Sequence, residues 1–208
     1  MKKSKRAKKS NSWKIKQNRD QFYKKSKTLG YRSRASFKLI ELNAKFKFIK
    51  RNTNLLDLGS SPGGWSQVAS KIITNGKILS IDIKPMMPIK NVNFFNCDIF
   101  NQKSKDKIIE YFNGNLNVIV SDMAADTTGN KSLDSIRTNQ LCLEILKLSS
   151  KILQPDGVFV SKLFMGQDFL EVKDLAKSLF KDVNFFKPKS SKNESKETYL
   201  HGKSLKTL

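Results

Sequence analysis

The sequence predicts an α/β domain in which a mostly parallel sheet carries helices on both faces. Short apolar segments alternate with segments whose apolar residues recur at helical spacing. The first apolar segment runs directly into a glycine-rich turn, and three later strand patterns end in aspartate. Repeated strand–helix alternation is typical of parallel strands joined by crossover helices.

Composition sets the broad class of protein. The 208 residues allow one substantial core, and 40 Lys and Arg against 18 Asp and Glu leave a net charge of +22. This excess predicts a polyanionic partner, nucleic acid before an anionic membrane surface, although lysine-rich codon usage would produce a similar composition. No apolar run of about 18 residues and no secretory signal is visible, so we expect a cytoplasmic protein without membrane contact.

The first 27 residues differ from the rest of the chain. They contain 12 Lys or Arg and a single acid, Asp20, which gives +11. This pattern predicts a basic RNA-binding arm over residues 1–27, disordered at least as far as Ser10, followed by one domain over residues 28–208.

The domain is predicted to begin with a helix over residues 31–46, where Phe37, Ile40 and Phe46 recur at helical spacing. Runs of mostly apolar residues then predict strands at 54–58, 77–83, 92–98, 116–122, 157–164, 182–188 and 196–202. Helical patterns lie between them at 65–73, 103–112, 134–152 and 168–180. No helical pattern separates the last two strands, so we expect them to form a hairpin across the polar loop 189–195.

The segment DLGSSPGGWSQ follows the first strand and predicts a ligand site. Gly59, Gly63 and Gly64 remove side chains where a ligand would contact the backbone. The segment has the spacing of a phosphate-binding loop, but Trp65 replaces the required lysine, which excludes that loop. The dinucleotide fingerprint G-x-G-x-x-G is also absent. The ligand class that remains for this turn is an adenosine-type molecule without a pyrophosphate. Trp65 either anchors the helix or lines the ligand pocket.

Three aspartates end neighbouring strands and are expected to share one crevice. Asp82 ends the second strand, 23 residues after Gly59, which is about the spacing at which an acid binds ribose hydroxyls. Asp98 and Asp122 end the third and fourth strands. Each could instead cap a turn. Together they would repel a phosphate and attract a sulfonium, which favours S-adenosylmethionine as the cofactor.

Four segments together resemble the FtsJ/RrmJ family of ribose 2′-O-methyltransferases: DLGSSPGGWSQ, SDMAADTTG, FVSKLFMGQDF and KPKSSKNESKETYL. The similarity runs from about residue 26 to residue 202. It implies a class I S-adenosylmethionine-dependent methyltransferase fold with strand order 3-2-1-4-5-7-6 and strand 7 antiparallel. It implies a catalytic tetrad of Lys38, Asp122, Lys162 and Glu197, with cofactor contacts from Gly63, Trp65, Asp82, Asp98 and Asp122 and no metal. One departure is Ala125, where the family often has proline.

The implied strand order supports this tetrad. Strand 7 would begin at the carboxyl edge of strands 4 and 5, so Glu197 could meet Asp122 and Lys162, while Lys38 must come from the first helix. Lys162 lies within the apolar strand GVFVSKLF, where an unpaired charge is costly. We expect Lys162 to be the proton acceptor for a ribose 2′-hydroxyl, and the sequence leaves open whether it removes the proton or orients the oxygen.

The compact form with a short basic arm resembles the branch of the family that modifies a uridine in large-subunit (23S) ribosomal RNA, within the 50S particle. Methylation of the tRNA anticodon loop or of the mRNA cap is the alternative, and a non-enzymatic RNA-binding ribosome-assembly factor is a further one. Arg32, Arg34 and the lysines of the C-terminal region are candidates for phosphate contacts. We expect a monomer.

Cys97 and Cys142 show no metal-ligand spacing and are predicted to be packing residues, and His201 is predicted to be structural or exposed.

Overall fold

A computed structural model describes residues 20–166 and 168–206 of the chain. The helices are α1 (Gln21–Thr28), α2 (Ser36–Phe46), α3 (Gly64–Ile72), α4 (Gln102–Phe112), α5 (Lys131–Ile152) and α6 (Phe169–Leu179). The strands are β1 (Leu55–Leu58), β2 (Ile78–Asp82), β3 (Asn93–Asn96), β4 (Leu116–Ser121), β5 (Leu153–Phe164), β6 (Phe180–Phe186) and β7 (Glu197–Leu205). The predicted alternation of strands and helices is therefore observed.

The seven strands form one sheet in the order β3-β2-β1-β4-β5-β7-β6. Strands β1 to β5 pair in parallel, whereas β7 is antiparallel to both β5 and β6. The predicted fold class is confirmed, and so is the predicted hairpin of the last two strands. Because β7 runs against β5, its first residues lie at the same edge of the sheet as the carboxyl ends of β4 and β5.

Helices cover both faces of the sheet and bury alternate residues of its strands. Leu56 and Leu58 of β1 pack with α4, α5 and α6 on one face, while Leu55 packs with α2 and α3 on the other. This alternation follows from the two-residue period of a strand. Leu39 and Leu42 of α2 are fully buried, and each such leucine stabilises the fold by about 1.5–3 kcal/mol. Burial of these leucines fixes α2, and with it Lys38, against the sheet.

The N-terminal helix lies partly inside the segment predicted to be a basic arm. The side chain of Asp20 accepts hydrogen bonds from the backbone N–H groups of Phe22 and Tyr23, which caps α1. The ring of Phe22 packs against Phe37 of α2, with 5.5 Å between centroids. Residues 21–27 are therefore helical, while residues 1–19, including the segment up to Ser10, lie outside the described residues. The division at residue 27 stays a prediction.

Several boundaries differ from the sequence-based ones. The helix expected from residue 31 begins at Ser36, because the preceding residues form a loop in which the N–H of Arg32 donates to the side-chain oxygen of Gln67 at 2.7 Å. Strand β5 begins at Leu153, and β7 continues to Leu205.

No helix within residues 20–166 and 168–206 is both long enough and apolar enough to cross a membrane.

Candidate active site

Four ionisable side chains from four separate elements meet at the carboxyl edge of the sheet. Lys38 comes from α2, Asp122 directly follows β4, Lys162 lies in β5, and Glu197 is the first residue of β7. In the β5–β7 pairing, Glu197 stands opposite Phe164, and Lys162 stands opposite Tyr199. The antiparallel return of β7 thus places Glu197 at the same edge as Asp122 and Lys162.

The four groups form a connected chain of ion pairs. The ammonium of Lys162 lies 3.1 Å from Oδ1 of Asp122 and donates to the backbone carbonyl of the same residue at 2.5 Å. The ammonium of Lys38 lies 3.8 Å from the same Oδ1. It is also 3.0 Å and 3.1 Å from the two carboxylate oxygens of Glu197. Oδ1 of Asp122 therefore lies close to the ammonium groups of both lysines.

Glu197 joins the group differently from the expectation. Its described contact is with Lys38, and it reaches Asp122 only through that lysine. The expectation that Glu197 meets Asp122 and Lys162 directly is therefore wrong. The physical reason is the register of the β5–β7 pair, which sets Glu197 two positions beyond Lys162 along the edge. Lys38 fills the gap, because α2 packs on that face of the sheet.

Burial strengthens the electrostatic coupling of this group. Lys38, Lys162 and Glu197 are each exposed by less than a tenth of their surface. Burial raises the pKa of Asp122, but the nearby charges of Lys162 and then Lys38 outweigh it and hold that pKa below its usual value. Asp122 is therefore an anion at neutral pH, and it anchors both ammonium groups.

Tyr199 is part of the site, although none of the sequence motifs singled it out. Its hydroxyl donates to Oδ1 of Asp122 at 2.6 Å, and its ring is fully buried. Burial, followed by the charges of Asp122 and Glu197, raises the pKa of Tyr199 well above its usual value, so the hydroxyl remains a donor. The available signal was its position two residues after Glu197, since such residues share a face of a strand.

A cavity of about 580 Å³ lies beside the tetrad and has the size of a small-molecule site. Asp82, Asp98 and Asp122 all line it, as their positions at the ends of parallel strands predict. Both carboxylate oxygens of Asp82 accept backbone N–H groups, from Ser61 at 2.9 Å and from Lys84 at 2.7 Å. These bonds fix the carboxylate and leave it further lone pairs for a ligand hydroxyl.

The cavity also has apolar walls, which Ile83, Ile99 and Phe100 provide. Asp98 is held by the N–H of Phe100, which donates to its Oδ1 at 2.9 Å. Apolar surfaces that can flank a planar ring, next to fixed carboxylates that can accept from hydroxyls, suit an adenosyl group. Lys84 and Arg137 also line the cavity, and Lys84 forms an exposed ion pair with Asp126 at 3.9 Å.

Trp65 and Gly63 do not line this cavity. The indole of Trp65 is almost fully buried, and its N–H donates to the backbone carbonyl of Ala35 at 2.8 Å. Of the two predicted roles of Trp65, the structure shows the anchor, because the ring joins α3 to α2; a contact of this residue with the cofactor stays a prediction. Gly63 caps α3 with a φ of 110°, and an added Cβ would lie 2.8 Å from Ile89. In this turn, the groups available for a cofactor contact are the backbone N–H groups at the start of α3, because they have no partner within the helix.

Arg32 and Arg34 bind the protein's own backbone instead of pointing freely outward. Arg32 donates to three carbonyls at 2.6–3.2 Å, those of Pro62, Met87 and Pro88. Arg34 pairs with Asp20 and donates to the carbonyl of Ser190. Their predicted role in gripping phosphates is not supported, since these guanidinium groups are already engaged.

The cysteines and the histidine stand outside the tetrad. Cys142 is buried in the core, and burial raises the pKa of its thiol to about 12, while Cys97 lies at the cofactor-sized cavity. His201 is buried and stacks on Phe46 with 4.1 Å between ring centroids, and burial lowers its pKa to about 4. Within residues 20–166 and 168–206, no cluster of three His, Cys, Asp or Glu side chains could hold a metal ion.

A seven-stranded sheet in this order, with an antiparallel seventh strand and acidic residues around one cavity at its carboxyl edge, is the class I methyltransferase fold. Residues 31–205 match the family model described as FtsJ-like methyltransferase, and the chain belongs to this family.

Relatives of known description support the assignment over most of the chain. The ribosomal RNA large subunit methyltransferase E of Pelagibacter ubique is 44% identical over 197 residues, which cover 95% of this chain and 97% of that protein. The protein of the same name from Rickettsia canadensis is 43% identical, covering 94% and 89%. A solved structure described as a ribosomal RNA methyltransferase of Plasmodium falciparum superposes with a TM-score of 0.74 at 33% identity, covering 84% of this chain and 98% of that one.

Proposed function

We propose that this methyltransferase transfers a methyl group from S-adenosylmethionine to a ribose 2′-oxygen of large-subunit ribosomal RNA. One observation carries the proposal. Two buried ammonium groups, those of Lys38 and Lys162, approach the same carboxylate oxygen of Asp122, and Asp122 also lines the cavity that contains Asp82 and Asp98. A donor in that cavity and an acceptor oxygen at the ammonium groups would meet at Asp122.

The cofactor's place in this proposal follows from the cavity. Asp82 would bind the ribose hydroxyls, and Asp98 would bind an edge of the adenine. The backbone N–H groups at the start of α3, next to Gly63 and Trp65, would meet a part of the cofactor that extends beyond the cavity. When bound there, S-adenosylmethionine supplies a methyl group on a cationic sulfur, which the anionic Asp122 attracts.

The tetrad would position and deprotonate the acceptor. Both oxygens of Glu197 hold the ammonium of Lys38, which has three N–H groups and therefore keeps donor capacity for the ribose oxygen. Lys162 is held as an ammonium by the Asp122 carbonyl and carboxylate. Once it has released one proton to solvent, its amine would accept the hydroxyl proton while the oxygen–carbon bond forms and the sulfur–carbon bond breaks. General-base catalysis of this kind contributes about 10²- to 10⁴-fold.

The substrate assignment rests on the relatives. The relatives from Pelagibacter ubique and Rickettsia canadensis are named as ribosomal RNA large subunit methyltransferases, and their similarity extends over nearly the whole chain. A uridine of 23S ribosomal RNA within the 50S particle is the proposed target, and we place the protein in the cytoplasm as a monomer. The required 2′-hydroxyl would itself select RNA over DNA.

Methyl transfer from labelled cofactor to 50S particles lacking ribose methylation tests the proposal. Lys162→Ala should lower turnover by about 10²-fold or more, while the affinity for the cofactor, measured by calorimetry, changes little. Lys147→Ala is the matched control, because Lys147 is exposed and pairs with Glu144 on the surface of α5. Normal turnover by Lys162→Ala would exclude the proposed role of this lysine.

The same assay separates the other functions. Label in tRNA or in capped mRNA, with 50S particles unlabelled, would assign the protein to one of the alternative RNA substrates. Binding to 50S particles without transfer to any RNA would indicate an assembly factor that is not an enzyme.

A further inference from the structure

A second cavity, of about 570 Å³, is lined by residues that lie close in the chain to three members of the tetrad, among them Thr127, Phe164 and Lys196. The loop after β4 contributes to both cavities: residues 122–126 line the cofactor-sized one, and Thr127 lines the second. The start of α5 and the loop between β6 and β7 complete its walls. We call this cavity the acceptor pocket; its lining includes Ser135, Ile136, Phe164, Met165, Asp168 and Lys196.

The acceptor pocket is lined by strand neighbours of Lys162 and Glu197. Phe164 lies two residues after Lys162 on the same face of β5, and it stands opposite Glu197 in β7. Lys196 directly precedes Glu197, and its carbonyl accepts the N–H of Met165 at 2.9 Å. If the 2′-oxygen of a ribose lies at the tetrad, the base attached to that ribose could therefore reach this cavity.

The lining suits a nucleobase better than a phosphate. Phe164, Ile136 and Met165 provide apolar surface, and Ile136 and Met165 are 36% and 46% exposed, so a ligand can reach their side chains. The carboxylates of Asp134, Asp168 and Glu194 also line the pocket and outnumber its two lysines, Lys131 and Lys196, which disfavours a phosphate. Apolar side chains that contact the faces of a ring, with polar groups at its edge, are how proteins hold a base turned out of its stack.

One polar atom of the pocket lacks a partner. Oδ2 of Asp168 is buried and accepts no hydrogen bond from the described part of the chain. Asp168 precedes α6, but its side chain makes no capping hydrogen bond to that helix. A buried carboxylate oxygen without a donor is costly unless a ligand supplies one. An N–H on the edge of a base would do so.

We propose that the acceptor pocket binds the base of the nucleotide whose ribose is methylated, after that nucleotide has turned out of the RNA stack. This inference rests on the proposed function. The base lies against Phe164 and Met165, and an N–H on its edge donates to Asp168. The pocket thereby fixes the ribose, so that its 2′-oxygen faces Lys38 and Lys162.

Filling the pocket tests the inference. Ser135→Trp should occupy the space of the base and lower kcat/KM for methyl transfer to 50S particles by at least about tenfold, with cofactor affinity unchanged. Ser150→Trp is the matched control, because both serines are partly buried on α5 and each hydroxyl donates to a carbonyl of the preceding turn. Thermal midpoints of both variants show whether the fold is intact.

A second variant makes the test independent of the tryptophan. Asp168→Asn preserves the size of the side chain but removes the charge, and should raise KM for the particle about tenfold or more without changing the cofactor affinity. If Ser135→Trp fails to fold, the KM of Asp168→Asn for the particle alone decides whether the acceptor pocket binds the base. Activity of both variants equal to that of Ser150→Trp would overturn the acceptor pocket and leave the proposed function intact. A wild-type protein that transfers no methyl group to any RNA would overturn both.

Discussion

Asp57 is expected to make the stability of the protein depend on pH. It lies in β1 with 1% of its surface exposed, and Oδ2 accepts a hydrogen bond from Ser66 at 2.6 Å. Burial raises its pKa from 3.8 to about 7, the Ser66 hydrogen bond opposes the rise, and the charges of Asp122 and Asp82 add to it. Between these two pH values the folded state keeps a proton that the unfolded state has released. Stability is therefore lost as pH rises from about 3.8 to about 7.

Asp57→Asn removes this dependence, so the wild type should lose stability relative to the variant as pH rises. One pKa unit corresponds to about 1.4 kcal/mol, which gives a relative loss of about 2–3 kcal/mol between pH 5 and pH 8. Urea unfolding of both proteins at each pH measures it. The difference corresponds to roughly 4–12 °C in thermal midpoint. Asp156→Asn, on the exposed surface, is the control. Parallel curves for wild type and Asp57→Asn would refute the reasoning.

Two further substitutions test residues that pack or hydrogen-bond around the site. Tyr199→Phe removes the donor to Asp122, which should cost about 1–2 kcal/mol of stability and raise the pKa of Asp122. Denaturant unfolding measures the first effect, and a shift of the acid limb of the pH–rate profile to higher pH measures the second; an unmoved limb would contradict the coupling. Gly59→Ala should destabilise the fold by roughly 1–3 kcal/mol, because Gly59 has a φ of +71° and the new Cβ would lie 2.4 Å from Cγ of Met123. Gly114→Ala, with a φ of +74° and no atom within 4 Å, carries the backbone strain without the clash. Equal losses from the two alanines would show that the contact with Met123 is unimportant.

The fold could be predicted because its signals are local and periodic. Apolar strands separated by helical patterns predict the parallel sheet, and the missing helix before residue 196 predicts the hairpin. The meeting of Asp82, Asp98 and Asp122 follows from topology alone, since the carboxyl ends of parallel strands share one edge.

Side-chain directions could not be predicted in the same way. Trp65 faces α2 because the carbonyl of Ala35 accepts its N–H, and no spacing within the motif carries that information. Glu197 pairs with Lys38 because of a register between strands that are distant in sequence. The cap at Asp20 was hidden because a single acid in a lysine-rich segment changes its charge pattern very little.

The bond between Lys38 and Glu197 joins residues that are 159 positions apart in the chain. During synthesis, the first amine therefore leaves the ribosome long before its carboxylate partner has been translated. A growing chain that stops before β7 has neither Glu197 nor the Tyr199 hydroxyl, whatever portion of the sheet has already folded. The candidate active site is thus completed only once β7 has been translated, and a product that terminates before β7 would lack the proposed tetrad.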